Sequence, residues 1–465
     1  MAGIGFELRR LSRRDQLLGP MAAVAHAALI AAGPWLYTIL AIFLISAVAG
    51  PVVGADATAT FRVLLIYIFS LSLVATAPVI MIGTRVLADA LHRRHYTDIR
   101  GLYCATLVGC AAATLALSAL VLVGLSEVRA EAALVGIAGA QLVGMLWTAL
   151  AFCGAVRDYR HITLAFALGL AAGAGLAIGA AYLRLGPVAM AAGVCCGFLI
   201  IFLWLTARFL ATFPEPCASL GPARVALLDR LRASPALAVG ALASAVGVWA
   251  DKWVVWNGRF GERVDAGLVH APLYDSPMFV ASLTVIPALA LFVTSLETSF
   301  FESYHAYFRA IERHATLRRI EERVRAMEAE TLRTLVGIMT VQITLCLIVL
   351  QTAPMLIQVF NLQFQQIDIL RMGSIGALFQ FLFIVSTTII AFFDATRLYA
   401  ALHLLFTACL IGATALVSSS RLETLALGYM STCILLGLAS LLPFLHVLRT
   451  VNFRVFVGSA VGPKR

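Results

Sequence analysis

Asp251 and Lys252 are the charges set deepest in an apolar stretch of this sequence, and Trp249, Trp253 and Trp256 surround them. On a helix those tryptophans stand at i, i+4 and i+7, one aromatic stripe on which sugar rings can stack. A belt of aromatics at a membrane interface accounts for the same stripe. As helical neighbours, Asp251 and Lys252 point about 100° apart. They are therefore not expected to neutralise each other, and at least one is expected to look inward. Glu297 and Arg85 lie about one turn inside the ends of other apolar stretches, where snorkelling explains them equally well. His26 suits a proton-linked group or a hydrogen-bonded core histidine. Gln141, Gln342, Gln380, Ser386, Thr387 and Thr388 offer an uncharged hydrophilic path or, equally, helix–helix hydrogen bonds.

Other chemistries find no support. There is no P-loop, so ATP is not used by this chain alone. No His/Glu cluster has zinc spacing. Eight of the nine cysteines lie in apolar runs and Cys217 lies in a short hydrophilic stretch, without the spacing of a disulfide framework or a metal site. The stretch from Asn257 to about Asp275 is too small for a glycosyl-transfer domain, and its Glu262 and Asp265 read as solvated charges. No catalytic residue, cofactor or metal is expected, and the chain is not read as an enzyme.

The elements that position these residues follow from composition. Of 465 residues, 61% are hydrophobic and 12% charged, and the mean hydropathy is +0.95. A soluble domain runs at about 45–50% apolar and about 25% charged. The surplus apolar surface must face lipid, which excludes a soluble enzyme, a secreted domain and a disordered scaffold. The net charge of +10 comes almost wholly from arginine, Lys252 and Lys464 being the only lysines. Its clustering between apolar runs is that of loops held on one membrane side, not of a nucleic-acid-reading face.

A span needs about 20 mostly apolar residues. Twelve are predicted: 22–49, 61–87, 101–123, 132–156, 162–183, 187–207, 235–256, 276–301, 335–359, 372–393, 398–417 and 424–448. The first follows Arg9, Arg10, Arg13 and Arg14 but is about twice as long as a signal-peptide core, so it reads as an uncleaved span. Arg184-Leu185-Gly186 before Pro187 suits a tight turn. Alternate loops hold 26 of the Arg and Lys residues against 8 on the other side, which predicts cytoplasmic termini.

Residues 208–234, with Pro214, Pro216, Gly221 and Pro222, divide the spans into six and six. The predicted layout is an amino-terminal six-helix bundle (1–207), a cytoplasmic linker (208–234), a carboxy-terminal six-helix bundle (235–448) and a cytoplasmic tail (449–465). Both halves begin and end on one side, so a repeat between them must be parallel. Pro78 and Pro287 sit at mid-depth in the second helix of each half, as tolerated kinks or as hinges. Within the carboxy-terminal half, residues 302–333 form an amphipathic cytoplasmic segment. Ile311, Leu317, Ile320, Val324, Met327 and Thr331 recur at helical spacing, opposite Arg and Glu. It reads as a solvated continuation of the eighth span. Alternatively, it lies on anionic headgroups or docks a partner through Arg318, Arg319, Arg323 and Arg325.

Four pieces of sequence carry a family resemblance: Met-Ala-Gly-Ile-Gly-Phe-Glu-Leu-Arg at 1–9, Ala32-Gly33-Pro34-Trp35, Asp251-Lys252-Trp253, and the block from Thr284-Val285-Ile286-Pro287-Ala288-Leu289 to Glu297-Thr298-Ser299-Phe300-Phe301-Glu302. With the twelve-span layout, the chain resembles the PelG family, inner-membrane transporters of the Pel exopolysaccharide system in the MOP flippase superfamily. The resemblance implies an all-α polytopic membrane protein with two six-helix bundles around a central cavity. It also implies transport of a polymer rich in N-acetylgalactosamine and N-acetylglucosamine across the bacterial inner membrane. The implied partners are PelD- and PelE-like membrane proteins and a PelF-like cytosolic glycosyltransferase, with the polysaccharide and the lipid bilayer and without nucleic acid. It carries over no site residues, so Asp251, Lys252, Trp249, Trp253, Glu297, Arg85 and Gln380 stand as path or coupling candidates on depth and chemistry alone. A flippase for a lipid-linked oligosaccharide, with Arg85 and Lys252 as its basic groups, and a non-transporting scaffold are the alternatives.

Overall fold

The computed structural model describes residues 33–93, 96–125, 127–156, 158–217 and 219–458, apart from the side chains at 35, 297, 298 and 457. His26, residues 1–9, the start of the first predicted span and the end of the tail lie outside the described residues. Among the described residues, eleven helices are long and apolar enough to cross a membrane, or twelve if one bent pair counts as a single span. Large apolar side chains such as Phe43, Leu134, Leu168 and Leu203 are exposed along them, as lipid-facing surfaces require.

Two compact units emerge among the described residues, 33–272 and 273–458. The first begins with α1 (Gly33–Val53) and α2 (Ala55–His92). Only Gly54 separates them, at φ 87°, a left-handed conformation that glycine adopts without cost. Thr58 then donates from both its amide and its Oγ1 to the Gly54 carbonyl. Pro78 lies inside α2 without ending it.

There follow α3 (Ile99–Ala119), continued by a π turn at Leu120–Leu125, α4 (Ala130–Ala155), α5 (Tyr159–Tyr182) and α6 (Pro187–Thr212). The predicted turn between α5 and α6 is present, with Arg184 at φ 55° and Gly186 at φ 89°. These two helices touch through glycine: a Cβ on Gly197 would stand 2.5 Å from the Gly169 oxygen and 2.8 Å from the Gly173 Cα. Tyr103, Phe152 and Phe209 tie α3, α4 and α6 together, with ring centroids 4.7–5.5 Å apart.

The remainder of this unit is α7 (Gly221–Ala233), α8 (Pro235–Trp256) and a small antiparallel hairpin of β1 (Glu262–Arg263) and β2 (Val269–His270). The hairpin falls where the sequence suggested only a loop. Gly267 at its turn has φ 89°. The division of contacts falls at Pro272 rather than in the 208–234 linker because α8 packs along α2, where the Tyr67 and Trp256 rings stack 5.2 Å apart.

The second unit opens with α9 (Pro272–Leu283) and α10 (Val285–Ser295), bent by 41° at Thr284. Pro287 has no N–H for the Leu283 carbonyl, and the Thr284 amide turns to Ala281 O at 3.2 Å. A π turn at Leu296–Phe300 leads into α11 (Phe301–Glu312), then α12 (Leu317–Val359), α13 (Ile367–Phe392), α14 (Thr396–Val417), α15 (Leu427–Ala439), α16 (Leu441–Arg449) and α17 (Val451–Phe453).

The amphipathic segment differs from expectation. It does not run on as one continuation of the eighth span: α11 stops at Arg313, His314 takes φ 51°, and the chain turns back into α12. The amides of His314 and Ala315 close the end of α11 on the carbonyls of Ile311 and Ala310, satisfying groups that a helix end leaves open. Nor is its apolar face free for headgroups or a partner. Ile320, Val324 and Met327 are buried against Tyr307 and Val451. Tyr307 Oη donates to Asn452 Oδ1 at 2.9 Å, and burial, with Tyr304 close by, pushes its phenol up to about 12.

Candidate functional site

In the first unit the candidate site is built on the carboxy-terminal half of α8. Asp251 is 1% exposed. Lys252 Nζ lies 3.2 and 3.3 Å from its two carboxylate oxygens and also donates to Val248 O at 3.3 Å. The expectation that these neighbours would not neutralise each other is therefore corrected. Their Cβ directions diverge as predicted, but the four-carbon stem of lysine swings the ammonium back toward the helix N-terminus, where it meets both acceptors. The result is a buried pair with no net charge. Lys252 Nζ also lies 5.9 Å from the centre of the Trp249 ring, within cation–π range.

The tryptophan stripe divides by role. Trp256 is buried on Tyr67, whose hydroxyl donates to Val269 O at 2.9 Å and so fastens the hairpin to α2. Trp249 and Trp253 are half-buried. Trp249 Nε1 is shielded and has no hydrogen-bond acceptor among the described residues, a costly state for an indole N–H. Gln141 Oε1 on α4 is likewise buried, with no hydrogen-bond donor among the described residues. Tyr67 was missed in the sequence because nothing in the apolar run around it signals a distant carbonyl.

Arg85 is half-buried on α2, one turn before Asp89, which meets Arg230 of α7 at 3.9 Å. Beside the hairpin, burial and then the nearby Arg62 charge push the His270 imidazole below its ordinary value. At the opposite ends of α4 and α6, Asp158 accepts from His161 Nδ1 at 2.6 Å and Arg208 Nε at 2.7 Å. Burial pushes that carboxyl up, but the two bonds and the attached charges outweigh it and leave it below the usual carboxylate range.

In the second unit Gln380 on α13 accepts from Tyr429 Oη at 2.8 Å. Gln342 Nε2 lies 3.4 Å from Thr284 Oγ1 at the bend, and its Oε1 is buried without a partner among the described residues. The Glu297 backbone lies in the π turn, a feature that recurs at functional sites; its side chain is outside the described residues. Arg318 and Arg325 pair with Glu322 and Glu321 at 3.4 and 3.6 Å, and Arg319 and Arg323 are exposed. Seven arginines meet six glutamates across 302–333, so this outer face carries almost no net charge. Among the described residues no group of three or more His, Cys, Asp or Glu could hold a metal ion.

A family profile described as "PelG: Putative exopolysaccharide Exporter (EPS-E)" matches residues 1–456. No curated protein matches. Among solved structures, the chain is similar to an outward-facing multidrug resistance MATE family transporter of the MOP superfamily, at TM-score 0.63 and 14% identity, covering 97% of this chain and 99% of that one. An inward-facing MATE family transporter matches at TM-score 0.60 and 13% identity, over 96% and 99%. A MOP superfamily transporter from Pyrococcus furiosus, described as having a binding pocket of reverse polarity, matches at 0.63 and 14%, over 97% of both chains. At such identities the likeness defines the fold alone: an all-α, multi-pass membrane protein of MOP type.

Proposed function

The chain belongs to the PelG family of exopolysaccharide exporters, and from that premise we propose that it carries a Pel-type N-acetylhexosamine polymer from cytoplasm to periplasm. Family and fold are those of transporters. The observation that carries the substrate reading is the neutral Asp251–Lys252 pair beside Trp249 and Trp253. Aromatic faces, an indole N–H with no acceptor among the described residues and the shielded Gln141 amide oxygen suit uncharged sugar rings and their acetamido groups. They supply dipoles and stacking surfaces without a fixed charge to trap a sliding chain.

The rival flippase reading needs a basic site for a diphosphate. Lys252 serves it poorly, because its ammonium is already engaged by Asp251. The distribution of 26 against 8 basic residues supports an inner-membrane protein with both termini in the cytoplasm. PelD- and PelE-like membrane proteins and a PelF-like glycosyltransferase are the partners this reading requires. Chain growth by that enzyme drives the polymer forward, or Asp251 couples its movement to protons.

The test uses vesicles holding this chain and its membrane partners, supplied from the cytoplasmic side with the glycosyltransferase and nucleotide-sugars. Polymer should accumulate in the lumen of wild-type vesicles and fall at least tenfold for Trp249→Ala with Trp253→Ala, at unchanged complex assembly. Polymer synthesised in full but left outside wild-type vesicles would overturn the reading in favour of a flippase or a scaffold.

A further inference from the structure

The helix α7 lies between the ends of two membrane-spanning helices, α6 and α8, and its sides face three different surroundings. Its inner side is held by protein. Ala223 is buried, with its Cβ 3.5 Å from where a Cβ on Gly101 of α3 would stand, Leu227 packs on the core of this unit, and Arg230 meets Asp89 of α2. A second side carries Asp229, Ala226 and Ala233, all exposed and suited to water. On the third side stand Leu231, Arg224 and Leu228, within about 60° of one another at 100° per residue, with Arg232 and Val225 at its edge. Leu228 is 40%, Leu231 39% and Val225 56% exposed.

Among the described residues that third side has no partner, and its composition names one. Leu203 of α6 and Leu242 of α8, on the two flanking spans, are exposed as lipid-facing residues are, and the exposed leucines of α7 lie between them in the chain. An arginine set between such leucines is misplaced in water and misplaced in hydrocarbon. It is suited to the boundary, where its stem lies along acyl chains and its guanidinium reaches a phosphate. Among the described residues Arg224 has no carboxylate within ion-pair distance, and Arg232 has only the exposed Asp229 at 3.6 Å.

We propose that α7 is an interfacial helix that binds anionic phospholipid: Leu228 and Leu231 enter the acyl-chain boundary, and Arg224 and Arg232 hold the headgroup phosphate. The proposal does not depend on which molecule the protein transports. The flanking prolines, Pro214 and Pro216 before α7 and Pro235 after it, let the chain leave α6, lie along the bilayer surface and re-enter as α8.

The test uses the full chain in phospholipid nanodiscs and in detergent with defined lipids. Retention of phosphatidylglycerol relative to phosphatidylcholine is measured by native mass spectrometry for wild type and for Arg224→Gln with Arg232→Gln. Each arginine near an anionic surface contributes about fivefold in affinity, so the preference should fall about 25-fold in the double variant. An unchanged preference, or one that inorganic phosphate competes away, overturns the proposal. A second measurement places a fluorophore on Leu228→Cys in a background where the two exposed cysteines are removed, Cys196→Ser with Cys217→Ser. Quenching by brominated lipid is the expected result. Quenching by aqueous iodide instead, or by neither, puts this face in water or under another protein and overturns the proposal as well.

Discussion

Replacing Lys252 by methionine takes the ammonium away from the buried Asp251 carboxylate. Breaking a fully buried ion pair from one side costs about 3–5 kcal/mol. Asp251 is essentially inaccessible, but the Lys252 side chain is 22% exposed. Its contacts of 3.2 and 3.3 Å are also longer than the best charge-assisted bonds, so about 2–3 kcal/mol is expected. Asp251→Leu is milder, about 1 kcal/mol, because the lysine keeps Val248 O, the Trp249 face and some access to polar surroundings. The double variant, Asp251→Leu with Lys252→Met, removes both charges together and should lie within about 1 kcal/mol of wild type. The coupling energy is then about 2–4 kcal/mol, read from equilibrium unfolding in mixed micelles followed by tryptophan fluorescence. Additive single changes, with coupling below about 0.5 kcal/mol, would show that the pair is not electrostatically joined and would remove the argument for a neutral lining.

Tyr67→Phe loses the bond to Val269 O and should cost about 1 kcal/mol, seen as roughly fivefold faster amide exchange across 262–270. Gly197→Val drives a Cβ into the Gly169 carbonyl and the Gly173 backbone, which cannot yield as a side chain would. The expected loss is at the upper end of overpacking, about 3 kcal/mol, measured by unfolding of the first unit. Because the Asp158 carboxyl is held below its ordinary value, its contribution to stability is complete above about pH 4 and is lost as pH falls through the folded value. Asp158→Asn should therefore flatten the acid limb of a stability–pH profile while lowering stability at neutral pH. Met327→Ala opens a cavity beneath the α11–α12 hairpin at about 2–4 kcal/mol, and should speed proteolysis after Arg449 and Arg454.

Much of the architecture follows from local chemistry. Span number and approximate limits are read from apolar length because a bilayer accepts only segments that cross it with every backbone group satisfied. The Arg184–Pro187 turn is equally local: positive φ at Arg184 and Gly186 and proline at the first helical position need no distant partner. The depth of Asp251 and the spacing of Trp249, Trp253 and Trp256 are likewise properties of one helix.

The tertiary structure decided what those residues meet. Helical periodicity gives the direction of a Cβ but not the torsions of a long stem, so the return of Lys252 to Asp251 was not legible in the spacing. An amphipathic face announces that something covers it without saying what. For Ile320, Val324 and Met327 the cover is Tyr307 and Val451 of the same chain, the latter more than a hundred residues away. The sequence by itself determined that this is a many-spanned membrane protein with polar groups in its spans. Only the folded chain determined that its deepest charges form a neutral pair, because neutralisation depends on distances between side chains rather than on their order.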